Sequence, residues 1–147
     1  MEKIEEIIIN TLRNPKSARQ IKYLALDLLS NALNINVLAD LAKKHNIENR
    51  MGYLAEISAI AAKKEGLSSY SKLNKLKNQL SNGKRSWAYL EPTLPEYAKR
   101  IIADNPQTKY NRKWKVYSTL KPKEICDWVK LYGLKKNAPS LSRQGAY

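Results

Sequence analysis

The sequence predicts an α+β protein: a bundle of about five helices through residue 80, then a small antiparallel sheet and a closing helix. Three observations predict it. Apolar residues recur at 3.6-residue spacing over the first half of the chain, as in helices with one buried face. Ser81-Asn82-Gly83 is a turn signal, and beyond it prolines, aromatics and β-branched residues begin to mix. Arg112 to Ser118, RKWKVYS, then alternates Trp114, Val116 and Ser118 against Lys113, Lys115 and Tyr117, the pattern of a half-buried strand. Residues 1–83 are therefore expected as a helical lobe, 84–134 as a small sheet with a helix packed on it, and 135–147 as a basic tail.

The elements follow in order. Residues 2–13 form an amphipathic helix with Ile4, Ile7, Ile8 and Leu12 on one face, and Asn14-Pro15 ends it because the residue before proline avoids helical geometry. Ser17 caps a second helix carrying Ile21, Leu24, Ala25, Leu28, Leu29 and Ala32. After NALNIN, a third helix buries Val37, Leu38, Leu41 and Ala42 and ends near His45-Asn46. The fourth, Glu48 to Gly66, organises the rest. Nine of the twelve residues Met51 to Ala62 are apolar, so the helix is expected to be surrounded on most sides. Gly52, Ala55, Ala59 and Ala62 line one of its faces with small side chains, and Gly52 costs about 1 kcal/mol against alanine, which implies a packing reason for it. A fifth helix, capped by Ser68 or Ser69, buries Tyr70, Leu73, Leu76 and Leu80, with Lys72, Lys75 and Lys77 largely on the other side.

Beyond the turn, RSWAYLEP reads as a short strand closed by Pro92, and residues 93–108 as a helical turn or two between loops. Ser118 or Thr119 leads into a last helix with Pro122 in its first turn, Ile125, Trp128, Val129 and Tyr132 inside, and Gly133 as its stop.

Charge narrows the function classes. The chain has 27 basic and 13 acidic residues, a net +14 that nucleic acid, an acidic protein or an anionic membrane surface could exploit. Residues 1–66 hold 10 basic against 8 acidic, and residues 109–147 hold 10 against 2, so the excess is concentrated at the C-terminal end. Cys126 is the single cysteine, which fits a reducing cytosol and no intrachain disulfide. Glu2, Glu5 and Glu6 stand where a signal peptide needs basic residues, and no apolar run approaches the ~18 residues of a spanning helix, so a cytoplasmic chain is expected.

A catalytic constellation is missing from the pattern. His45 sits at a helix end beside Lys43 and Lys44, and Glu2/Glu5/Glu6 and Glu124/Asp127 occupy first turns, where carboxylates favour the helix dipole. There is no CxxC, no HExxH and no glycine-rich phosphate loop, so neither metal nor cofactor is implied and a non-enzymatic binding role is expected. NVLADLAKKHNIENRMGYLAEI has the outline of a helix-turn-helix. Only Glu48, Asn49 and Arg50 precede the apolar run, though, which is too little polar surface for a recognition helix, so ordinary hairpin packing is the better account.

The stretch KYNRKWKVY, Lys109 to Tyr117, sets four cations among three aromatics, a mixture suited to phosphates and stacked bases. Trp114 is assigned to the core. For the lysines a binding surface and a plain solvated face both stay open. The candidate contacts are Lys109, Arg112, Lys113 and Lys115, with Lys121, Lys123, Lys135, Lys136 and Arg143 in support.

Two segments carry a family resemblance. NRMGYLAE, Asn49 to Glu56, is similar to the R-L-G-Y/F-L-L-E segment of AbiEi-type antitoxins of type IV abortive-infection toxin–antitoxin pairs. YLEP, Tyr89 to Pro92, followed by YNRKWKV, Tyr110 to Val116, resembles that family's L-D-P…R-W-R-V segment, in the same order and at similar spacing. Met51 and Ala55 replace leucines of the first motif. The resemblance covers residues 17–120 and implies the C-terminal antitoxin domain without the N-terminal winged helix, so promoter binding of the family's kind is not expected of it. It further implies a nucleotidyltransferase-like toxin as partner, with Arg50, Gly52, Tyr53, Trp114 and Val116 defining the fold. The alternatives are a stand-alone DNA- or RNA-binding protein using the basic C-terminal lobe, and a structural module whose charge serves solubility.

Overall fold

The structure, a computed structural model, describes residues 3–30, 32–83 and 86–134. Over these residues it is mainly helical: α1 (Ile4–Arg13), α2 (Ala18–Ser30), α3 (Ile35–Lys44), α4 (Glu48–Glu65), α5 (Tyr70–Leu80), β1 (Ala88–Tyr89), α6 (Glu96–Asp104), α7 (Lys109–Trp114), β2 (Val116–Tyr117) and α8 (Pro122–Leu131).

The axis of the molecule is α4. It packs against α2, α3, α5, α7, α8 and both strands. Twelve of its residues are buried, which is what an apolar pattern running around most of a helix requires. Gly66 ends it in the left-handed region at φ 70, and the Leu67 amide reaches back to the Ala62 carbonyl at 2.8 Å, closing the terminal carbonyls as in a Schellman turn. α5 folds back on α4 and buries Leu73, Leu76 and Leu80. One hydrophobic cluster runs from Ile8 and Leu12 of α1 through α2, α3 and α4 to Trp114, Val116, Ile125 and Val129.

Several local expectations change. On α1 the buried face is Ile8, Ile9 and Leu12, while Ile7 is 42 % exposed. Glu5, expected only to favour the helix dipole from the first turn, is also buried: its carboxylate accepts the Asn34 amide at 2.9 Å, just ahead of α3. Asn34 in turn caps α3 by accepting the Val37 amide at 3.2 Å. Ser69 makes no side-chain cap to α5. On α8, Ile125, Cys126 and Val129 are buried, but Trp128 is half-buried and Tyr132 is exposed, and Lys22 lies over both of their rings.

The sheet is parallel, not antiparallel. Ala88 pairs with Val116 and Tyr89 with Tyr117. Parallel strands need a crossover connection of about a dozen or more residues, and the segment carrying α6 and α7 between β1 and β2 supplies it. The expected strand from Arg112 to Ser118 begins as helix, through Trp114. Thr108 and Asn111 form a reciprocal capping box that starts α7, and α7 runs to Trp114. Lys115 then takes the left-handed conformation at φ 54, so only Val116–Tyr117 are left as strand. Trp114 and Val116 are both buried and Lys115 exposed, so the alternation in burial holds although the backbone that produces it differs.

Candidate functional site

Gly52, Glu56 and Ile60 follow one another at four-residue spacing, so they lie along one face of α4. α7 docks on this face. A Cβ at Gly52 would land inside the six-membered ring of Trp114, against Cζ3, Cη2 and Cε3. The glycine is therefore a packing requirement. One turn on, the Glu56 carboxylate accepts the Trp114 indole N–H at 2.7 Å and receives the Lys113 ammonium at 2.9 Å on the same oxygen, Oε1. Its other oxygen, Oε2, lies 4.0 Å from the Lys77 ammonium of α5. Tyr53, beside Gly52, is buried and donates its hydroxyl to the Leu120 carbonyl at 2.5 Å, which ties the chain after β2 to the same helix. Burial pushes the Tyr53 pKa up to about 12.

Where α4, α5 and α7 meet above Glu56 there is a groove of about 450 Å³. Ala59 and Ile60 are its apolar lining, and Tyr70 and Tyr110 contribute aromatic rings. Lys63, Lys77, Lys109 and Lys113 reach it from three helices. The Lys63 ammonium lies 5.4 Å from the Tyr70 ring centroid and Lys109 5.2 Å from that of Tyr110, so cation and aromatic face are adjacent on either element. Glu56 is the one carboxylate among the lining residues, against four ammonium groups.

Lys113 and Lys115, expected on one strand face, separate in the structure, and the other candidate contacts scatter with them. Lys109 and Lys113 line the groove, with Lys113 drawn onto Glu56 rather than projecting free into solvent. Arg112 is exposed and donates to the Gln107 carbonyl at 2.5 Å, back toward its own loop. Lys115 is exposed at the end of α7 and is not a lining residue. Lys121 and Lys123 are exposed at the start of α8, and Lys135, Lys136 and Arg143 lie outside the described residues. A helix that ends in a left-handed residue cannot present Lys113 and Lys115 side by side as a strand would.

Glu56, Lys63, Tyr70 and Lys77 are the residues that sequence reasoning missed. Their signal was present at Glu56, the one acid inside the apolar run of α4, which a buried helix keeps only if it is paired. Across α4, Arg50 is 92 % buried, with Nε and Nη2 unpartnered among the described residues. Desolvation pulls its pKa down to about 10, which leaves the guanidinium charged at neutral pH. Nearby, the Trp87 and Tyr117 rings stack at 4.6 Å over the strand pair.

Among the described residues no group of His, Cys, Asp and Glu could hold a metal ion, and no helix is long and apolar enough to cross a membrane. No family model, curated protein or solved structure matches the chain.

Proposed function

We propose that the chain is a non-enzymatic, antitoxin-type domain that acts by binding and neutralising a nucleotidyltransferase-like toxin. The observation that carries this is the joint between the two segments of family resemblance. Asn49–Glu56 and Tyr110–Val116 are far apart in sequence, yet the glycine of the first makes room for the tryptophan ring of the second. The glutamate of the first accepts that tryptophan's N–H. Gly52 and Glu56 thus meet Trp114, and Glu56 also pairs with Lys113, so the two motifs are joined in one structural unit. Arg50, Gly52, Tyr53, Trp114 and Val116 are all buried, in keeping with a role in the fold rather than in contacts. The contact surface then lies among the exposed cations of α7 and the start of α8, Lys109, Arg112, Lys115, Lys121 and Lys123. Such a surface suits an acidic face of a partner. The reading carries with it a cytoplasmic setting.

Affinity purification of the tagged chain from its native host tests this. A nucleotidyltransferase-like protein should co-purify in stoichiometric amount, and co-expression with the chain should relieve that protein's toxicity. Recovery of the chain without such a partner refutes the proposal.

The gathering of four lysines and two tyrosines around one groove favours a second reading, direct binding of DNA or RNA. The logarithm of affinity for duplex DNA should then fall linearly with the logarithm of salt, by about 0.9 per phosphate contact. An affinity insensitive to salt excludes this reading.

A further inference from the structure

We propose that the groove between α4, α5 and α7 binds a nucleoside phosphate whose base carries an exocyclic amino group. This does not depend on the toxin reading, because it concerns a concave small-molecule site and not an exposed protein-binding face. At about 450 Å³ the groove falls in the size range of small-ligand pockets. It is built on three helices, so its shape is held by packed elements and not by loops.

Three parts of such a ligand find matching chemistry. A planar base needs an apolar or aromatic face, which Tyr70, Tyr110 and Ile60 supply. A phosphate needs cations that are not already committed to a carboxylate. Lys63 and Lys109 lie over tyrosine rings and have no carboxylate within 4.0 Å among the described residues. An amino group on the base needs an acceptor, and Glu56 holds one in reserve. Its Oε1 is taken by the Trp114 indole and Lys113, whereas its Oε2 has Lys77 at 4.0 Å, beyond hydrogen-bond reach. An N–H from adenine, guanine or cytosine would complete Oε2. Uracil and thymine offer only the ring N3–H, set between two carbonyl oxygens that a carboxylate repels, so they would fill it less well.

A free mononucleotide and the terminal nucleotide of a nucleic-acid strand share this chemistry, and calorimetry at low salt with the full chain separates them. The ligands are AMP, CMP, UMP, inorganic pyrophosphate and a short 5′-phosphorylated oligoadenylate. AMP and CMP should bind, with UMP about tenfold or more weaker, the loss expected for one charge-assisted hydrogen bond. Pyrophosphate should bind more weakly than AMP because it leaves the aromatic faces empty. Lys63→Gln combined with Lys109→Gln should weaken AMP binding by about tenfold or more. Its melting temperature should stay unchanged, since both lysines are exposed. Tyr110→Leu should weaken AMP but not pyrophosphate. An oligoadenylate that competes with AMP and binds more tightly assigns the strand terminus, and one that fails to compete assigns the free nucleotide; either sustains the proposal. It is overturned if AMP and CMP do not bind, if UMP or pyrophosphate matches AMP, or if the double glutamine variant keeps full affinity.

Discussion

The contact between Gly52 and Trp114 is the tightest constraint at the scale of single residues. Gly52→Ala adds one carbon where the indole ring already sits, and overpacking of this kind costs about 1–3 kcal/mol. The gain in helix propensity, ~1 kcal/mol, is the smaller effect. A lower melting temperature is therefore expected, and a rise would show that the ring has room to move. Tyr53 sets a second expectation. Its folded pKa of about 12 exceeds the ordinary 10.0, so the folded state keeps this proton longer than the unfolded chain does. The resulting stabilisation is complete below pH 10 and is lost as pH rises through about 12. The stability difference between parent and Tyr53→Phe should shrink over that interval in denaturant titrations, and a constant difference would contradict the assignment. At Arg50 the expectation runs opposite to intuition. A buried guanidinium with two unpartnered nitrogens costs desolvation without full return, so Arg50→Met should leave stability unchanged or raise it by up to about 3 kcal/mol. A marked loss in a chemical melt would reveal an ion or water held there.

Among the elements, α7 is where sequence and structure part. The long helices were legible because their apolar periods extend over ten or more residues. α7 is six residues long, too short for a period to declare itself, and Trp114-Lys115-Val116 alternates whether the backbone is a strand or a helix end followed by a left-handed residue. The readable signal was the Thr108…Asn111 pair, a capping box without an acid. Lys115 pays for this geometry, since a side chain at φ 54 is disfavoured by about 1 kcal/mol or more. Lys115→Gly should accordingly raise the melting temperature, and a fall would mean that the lysine side chain contributes more than its backbone costs. The parallel pairing was likewise hidden, because strands of two residues carry too little pattern to fix a direction.

At the scale of the whole molecule, the groove could not be read in advance because Glu56, Tyr70, Lys77 and Lys109 come from three helices and meet only through tertiary packing. What the sequence did carry was the demand for a partner, in a glycine and an acid placed on an otherwise apolar helix. That demand is met from beyond residue 83: Trp114, Val116, Ile125 and Val129 belong to the same core cluster as α1–α5. A fragment ending at residue 83 should consequently lose cooperative thermal unfolding, as followed by circular dichroism, since the α4 face at Gly52 and Glu56 would be left bare. A sharp transition like the parent's would instead make the helical half self-sufficient.

The indole seat on α4 also sets an order of events in time. Glu56 and Trp114 are 58 residues apart, and closing so long a loop costs roughly 1.5 kcal/mol more entropy than a loop of about ten residues. The α4–α5 hairpin, with its short connection, has no such barrier. Refolding should therefore proceed through early helix formation and a later step in which the tryptophan docks. With Trp87 and Trp128 replaced by Phe, the fluorescence of Trp114 should lag the far-ultraviolet signal in stopped-flow refolding. Substitutions at Gly52 should then speed unfolding and leave the early phase of folding untouched.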